Sequence, residues 1–446
     1  MMIAARGNIS DSWPPATGMN WIRSRTFSSQ RAEKPEYLND MAPNEHNTLI
    51  PLKKSVITVF AGLIIIGFGT FVYNLLGQHP ERAWQAYLLN FLLWSAVAQG
   101  GLLFSAVMHT VKARWSGPLS GLSESFAAFF PVSFVLFLIL FIGKNHLFPW
   151  IHEDLHGKEV WLNIPFLFSR DTIGLLLLYG FGAAYLYYAL GWKLQKHSSV
   201  APNRNPLIKL WNTEKWNEDK YRKRMTVFSI LYILLFAVIL SLIGYDLVMS
   251  LDPHWYSTLF GAYSFVKAFY IGLGALIILA SIHYRRLGAA SGIKTDHLVD
   301  LGRLFFAFSL LWADFFYCQF VVIWYGNISE ETSYIIERTM VSPWNSLAWT
   351  VFIICFIIPF FILLNRNIKT KPIPMILLSG MIIIGMWLEH LLLLGPVFHH
   401  DIASIPVGLT EVLITLGFFG LMALALSIFL NLFPELIPVE QKDAAR

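Results

Sequence analysis

Of the chain's 446 residues, 56% are hydrophobic and 14% charged, with a mean hydropathy of +0.55, which excludes an ordinary soluble globular protein. The net charge of +5 and a pI near 9.0 need no nucleic-acid partner, because a basic face against anionic lipid accounts for them. Only two cysteines, Cys318 and Cys355, are present, so C-x-x-C-H haem attachment and a cysteine-ligated iron–sulfur cluster are excluded.

In chain order, residues 1–50 are polar, with Pro14, Pro15 and scattered serines, and lack the apolar core of a signal peptide. They read as a mobile cytoplasmic tail, with Met19 and Met41 as alternative starts. Residues 51–435 form a polytopic transmembrane domain. Its apolar blocks fall at 55–77, 83–111, 122–143, 170–192, 226–250, 258–283, 304–325, 343–364, 373–395 and 408–432. Each is close to the roughly twenty residues that cross about 30 Å of hydrocarbon, and none alternates with a polar face. The fold class is therefore all-α integral membrane, with about ten helices. Residues 436–446 are a short cytoplasmic tail. Most prolines fall between blocks, whereas Pro131 and Pro359 lie inside them and predict kinks.

Basic residues alternate with the loops. One side carries Lys53, Lys54, Lys112 and Arg114, a dense group from Lys193 to Arg224, and then Arg285, Arg286, Lys294, Arg303, Arg366, Lys369 and Lys371. The other carries only Arg82, Lys144, Lys158, Arg170 and Arg338. By the positive-inside rule, both termini face the cytoplasm.

Ionisable residues within the blocks are costly and are functional candidates by default. Asp314 lies midway through its block, with Tyr317 and Cys318 on the same face by helical spacing. Glu389 and His390 are adjacent in the ninth block, Lys267 lies inside the sixth, and Asp246 and Glu411 lie near the external ends of theirs. Together they could relay protons part-way across the membrane. The structural alternative stays open: Lys267 and an acid as a buried ion pair, Asp246 and Glu411 reaching headgroup water, and His390 bridging helices. A haem held by two histidines would draw on His109, His283 and His390, which are poorly matched in depth.

A second group lies in the external loops: His146, His152, Glu153, Asp154, His156, Glu159, Trp161 and the Arg170–Asp171 pair, joined by His79, Asp252, His254, His399, His400 and Asp401. Quinol oxidation needs an apolar slot near the surface, with His and carboxylate groups to take the hydroxyl protons. The same residues also read as solvated loops, with Trp150, Trp161 and Trp255 in an aromatic belt. Trp84 and Trp255, Leu88 and Leu259, and Gly101 and Gly272 keep one separation, a faint sign of two related bundles.

The segment Asp252-Pro253-His254-Trp255-Tyr256-Ser257-Thr258-Leu259-Phe260-Gly261-Ala262-Tyr263 resembles the F subunit of alternative complex III. So do Trp324-Tyr325-Gly326-Asn327-Ile328 with Glu330-Glu331-Thr332, and Trp161-Leu162-Asn163 with Arg170-Asp171. That subunit belongs to the NrfD, or polysulfide-reductase-like, membrane family, and the resemblance runs from about residue 50 to 435. It implies two four-helix bundles, helices two to five and six to nine, with flanking helices. It also implies a non-redox subunit of a quinol:cytochrome c oxidoreductase that is not catalytic alone. Its partners would be a sister NrfD-like subunit, an iron–sulfur subunit and haem c subunits in a bacterial inner membrane. No cofactor would be bound by this chain unless quinol itself, menaquinol or ubiquinol, binds here. The sister C subunit usually carries the quinol site, with a His and an Asp. Asp171 falls at a similar place, but no single one of His146, His152 and His156 matches the histidine. The F subunit is also proposed to conduct protons, which would suit Asp314, Glu389 and His390. A stand-alone secondary transporter and a purely structural anchor remain the alternative readings.

Overall fold

The computed structural model describes residues 54–77, 80–152, 155, 157–196, 211, 217–398 and 404–438. The expected N-terminal tail, residues 439–446 of the expected C-terminal tail, and His79, Glu153, Asp154, His156, His399, His400 and Asp401 lie outside the described residues. The described chain is helical, without a strand, and ten of its helices are long and apolar enough to cross a membrane. They are α1 (Lys54–Leu75), α2 (Pro80–Thr110), α3 (Gly117–Leu140), α4 (Ile164–Gln195) and α5 (Glu218–Leu251). The remaining five are α6 (Phe260–Leu287), α7 (Thr295–Gly326), α8 (Trp344–Leu364), α9 (Pro372–Phe398) and α10 (Leu409–Leu432). The protein is a multi-pass, all-α membrane protein.

All ten apolar blocks are helices, but several helices outrun them. α7 begins at Thr295, because the polar turns holding Asp296, His297 and Asp300 continue the helix beyond the apolar stretch. The internal prolines disturb their helices as expected. A 3₁₀ stretch, Ser125–Phe129, comes just before Pro131, and a π-helical turn, Ile353–Ile357, just before Pro359. A proline has no N–H to offer the preceding turn, so the ladder there must tighten or widen. α7 ends at Asn327, whose left-handed backbone (φ 47°) suits an asparagine better than most side chains.

α2 packs with α3 and α5, and α5 with α4. α6 packs with α7 and α9, and α8 with α9 and α7, while α1 and α10 pair beside α2. Two four-helix bundles with flanking helices result, joined through α2 and α6. These two helices are the most buried, 83% and 78% over their apolar windows, against 11% for α1 and 22% for α7. Their crossing is set by glycines: a Cβ on Gly272 would overlap the Gly100 backbone, and one on Gly100 would overlap the Ala268 carbonyl. Small residues at such crossings let backbones meet closely where no hydrophobic force drives helices together. Because backbone cannot rotate aside, Gly272→Ala is expected to cost about 1–3 kcal/mol or more. A lowered thermal midpoint of the detergent-solubilised protein would register that cost, and an unchanged midpoint would refute it.

Candidate functional site

Basic-side loops define one end of the bundles, and the side chains buried beneath them define where a polar path begins. At that end Glu124 of α3 is buried, and Lys193 of α4 donates to its Oε2 at 2.7 Å. Ser105 of α2 donates to Glu124 Oε1 at 2.9 Å and lies 2.8 Å from the Tyr185 hydroxyl. About 9 Å further along α2 and α4, at roughly 1.5 Å per residue, come Gln99 and Tyr179. Tyr232 donates to Gln99 Oε1 at 2.9 Å, and the Tyr179 hydroxyl lies 2.9 Å from Ser133 and 3.4 Å from Ser95. Every one of these middle-layer groups is buried.

Ser95 lines a cavity of about 50 Å³ between α2, α4, α5 and α6, whose other polar walls are Ser264, Lys267 and His390. That volume holds about three to five waters. Beyond it lies the Glu389 cluster. Lys267 donates to Glu389 Oε2 at 2.9 Å and Oε1 at 3.2 Å, and Tyr263 donates its hydroxyl to Oε1. His390 Nδ1 sits 2.7 Å from the Met386 carbonyl and 3.7 Å from Glu389 Oε2. A carbonyl only accepts, so Nδ1 carries the hydrogen in this contact. Glu389, Lys267 and His390 are each at most 5% exposed.

Of the residues singled out by sequence, the structure joins Lys267, Glu389 and His390 in one cluster and, separately, sets Asp246 against Arg170, Trp161 and Asp171. Glu411 instead closes its own helix start, accepting from the Gly408 amide at 2.7 Å, and holds Arg82 through both oxygens at 2.5 and 2.9 Å. Asp246, for which headgroup water was one of the two readings, is fully buried. Arg170 grips both its oxygens at 2.6 Å, and the Trp161 indole donates to it at 3.2 Å. Asp314 lies apart from the cluster, exposed on the outer face of α7.

Among the described residues, neither His146 nor His152 hydrogen-bonds to Asp171. His146 sits 3.6 Å from Glu81 at the start of α2, and His152 is exposed. Asp171 itself is buried near Asp246, and no described donor satisfies its oxygens. An apolar slot of about 380 Å³ does open nearby, walled by Trp161, Met249, Trp255 and Tyr256, with Lys158 and Asp252 at its edge. Behind it, Trp255 stacks on Tyr334 at 3.7 Å, and the Arg338 guanidinium covers the other ring at 3.4 Å. Burial pushes the Tyr334 phenol up to about 12 despite Arg338.

Glu124, Ser105, Gln99, Tyr179, Ser133 and Tyr185 were not singled out by the sequence, and Lys193 only as one of the basic loop charges. The available signal was weak: a single acid among the serines opening α3, and tyrosines spaced along α4 as any apolar helix would carry them. No family model matches the chain, and no curated protein matches it.

Proposed function

We propose that this chain is a proton-conducting, non-redox membrane subunit of a quinol:cytochrome c oxidoreductase of the alternative complex III type. The observation that carries the proton reading is the buried polar line from Glu124–Lys193 through Tyr179–Ser95 and the cavity to Lys267–Glu389. Buried polar and titratable groups are expensive within a bilayer, and successive layers of them leading to a water-sized cavity suit proton relay. The redox complex enters through the sequence resemblance, whose Trp-Tyr-Gly-Asn segment ends α7 and whose Asp-Pro-His-Trp segment lies in the loop leading into α6. On this reading the basic side is the cytoplasm of a bacterial inner membrane, and Glu124 is the entry. Partner iron–sulfur, haem c and sister membrane subunits would carry the electrons.

The 380 Å³ slot favours a second role, as a wall of a quinol pocket, because it is apolar, near the surface and close to Asp171. A stand-alone transporter gains less support, since the midplane interruptions such folds use in both halves reduce here to the turns before Pro131 and Pro359. Purification from native membranes in mild detergent separates these classes. The complex predicts co-migrating c-haem absorbance, and recovery of the chain alone without haem would argue for the transporter.

A further inference from the structure

α7 is the least buried span after α1, and the two outer faces differ in chemistry. The exposed large side chains of α1, such as Ile65, Ile66 and Phe68, are apolar, and its one charge is Lys54 at the very end. That is how a lipid-facing helix should look. α7 instead exposes Arg303, Ala307, Leu310, Asp314 and Tyr317 at alternating steps of four and three residues, with Trp324 exposed seven residues beyond Tyr317. A repeat near 3.5 is the seam along which a second helix packs at a shallow crossing angle.

Asp314 stands in the middle of this seam, about 16 Å from Arg303 and about 18 Å from Gly326 along the axis. Its one hydrogen-bond contact among the described residues is the Cys318 thiol at 3.8 Å, a weak donor. A carboxylate at mid-membrane depth facing hydrocarbon is costly, and such groups are ordinarily paired.

We propose that the α7 face is an interface for a transmembrane helix of another polypeptide, which presents a Lys or Arg to Asp314 at mid-membrane depth. A second copy of this chain fits poorly. Among the described residues its cation nearest mid-span is Lys267, which Glu389 holds inside the bundle. The inference stands independently of proton conduction.

Photo-crosslinking in native membranes tests it, with benzoylphenylalanine replacing Tyr317 in the full chain and, as the lipid-facing control, Tyr73 of α1. The expected result is one polypeptide captured at 317 but not at 73, its crosslinked peptide mapping to a span that contains a Lys or Arg. Asp314→Lys should cut that yield about tenfold, and reversing the partner's base to Asp should restore it. Asp314→Leu, which a lipid-exposed site tolerates, should also abolish capture while the thermal midpoint holds. Lipid adducts alone, capture of a second copy, a partner span without a cation, or full capture by Asp314→Leu would each overturn the proposal.

Discussion

Glu389→Leu is expected to destabilise the protein by about 3–5 kcal/mol, because it leaves the Lys267 ammonium buried without its counter-charge. The pair sits in one bundle but on two helices, α6 and α9, so its loss loosens their junction. Lys267→Met should cost less. The carboxylate left behind keeps the Tyr263 hydroxyl as a donor, whereas the stranded ammonium keeps only a tyrosine ring 5.1 Å away. Combining Lys267→Met with Glu389→Leu removes both charges and should recover most of the loss, short of about 1–3 kcal/mol for the orphaned Tyr263 hydroxyl. Thermal unfolding of the purified variants reads this order directly. A double variant no more stable than Glu389→Leu would show that the ion pair is not what the singles break.

Asp246→Leu should produce a loss of similar size for a different reason. Arg170 is 10% exposed in its side chain and Asp246 not at all. The guanidinium is tied to both carboxylate oxygens, to the Trp161 carbonyl at 2.9 Å and to the Trp161 ring at 4.0 Å. Removing the carboxylate frees the planar fork that fastens α4 to α5 at the end opposite the basic loops. The cost should fall near about 3 kcal/mol, since a guanidinium close to a span end can reach interfacial water. Asp246→Asn keeps one acceptor and should cost less, while Arg170→Lys loses the bidentate geometry and should not behave as conservative. Unfolding midpoints in that order are the expected result, and equal midpoints for Asp246→Leu and the parent would refute the lock. Unlike the Glu389 cluster, this pair lies off the polar line, so variants that assemble should translocate protons normally.

The architecture was largely legible in the sequence, because a bilayer demands unbroken apolar runs and punishes exceptions. Helix ends were less so: Asp296, His297 and Asp300 lower the hydropathy without ending α7. Depth was also readable, since it depends on position along a span. Facing was not. Helical spacing put Tyr317 and Cys318 beside Asp314, but only the packing of α7 shows that this face looks outward. Similarly, Glu124 and Lys193 are distant in sequence and near span ends, where charges are ordinary, and only the fold joins them at 2.7 Å. The paired roles of Asp246 and Glu411 depend on Arg170 and Arg82, which the loops offered merely as scattered charges.

The central claim is that protons enter at Glu124 and pass along the buried line. Its most direct test is the number of protons translocated per electron pair by the intact complex in sealed vesicles oxidising quinol. Glu124→Gln, combined with Lys193→Met so that no buried cation is stranded, should abolish most translocation while quinol oxidation continues. An unchanged proton-to-electron ratio in an assembled, active double variant would contradict the account.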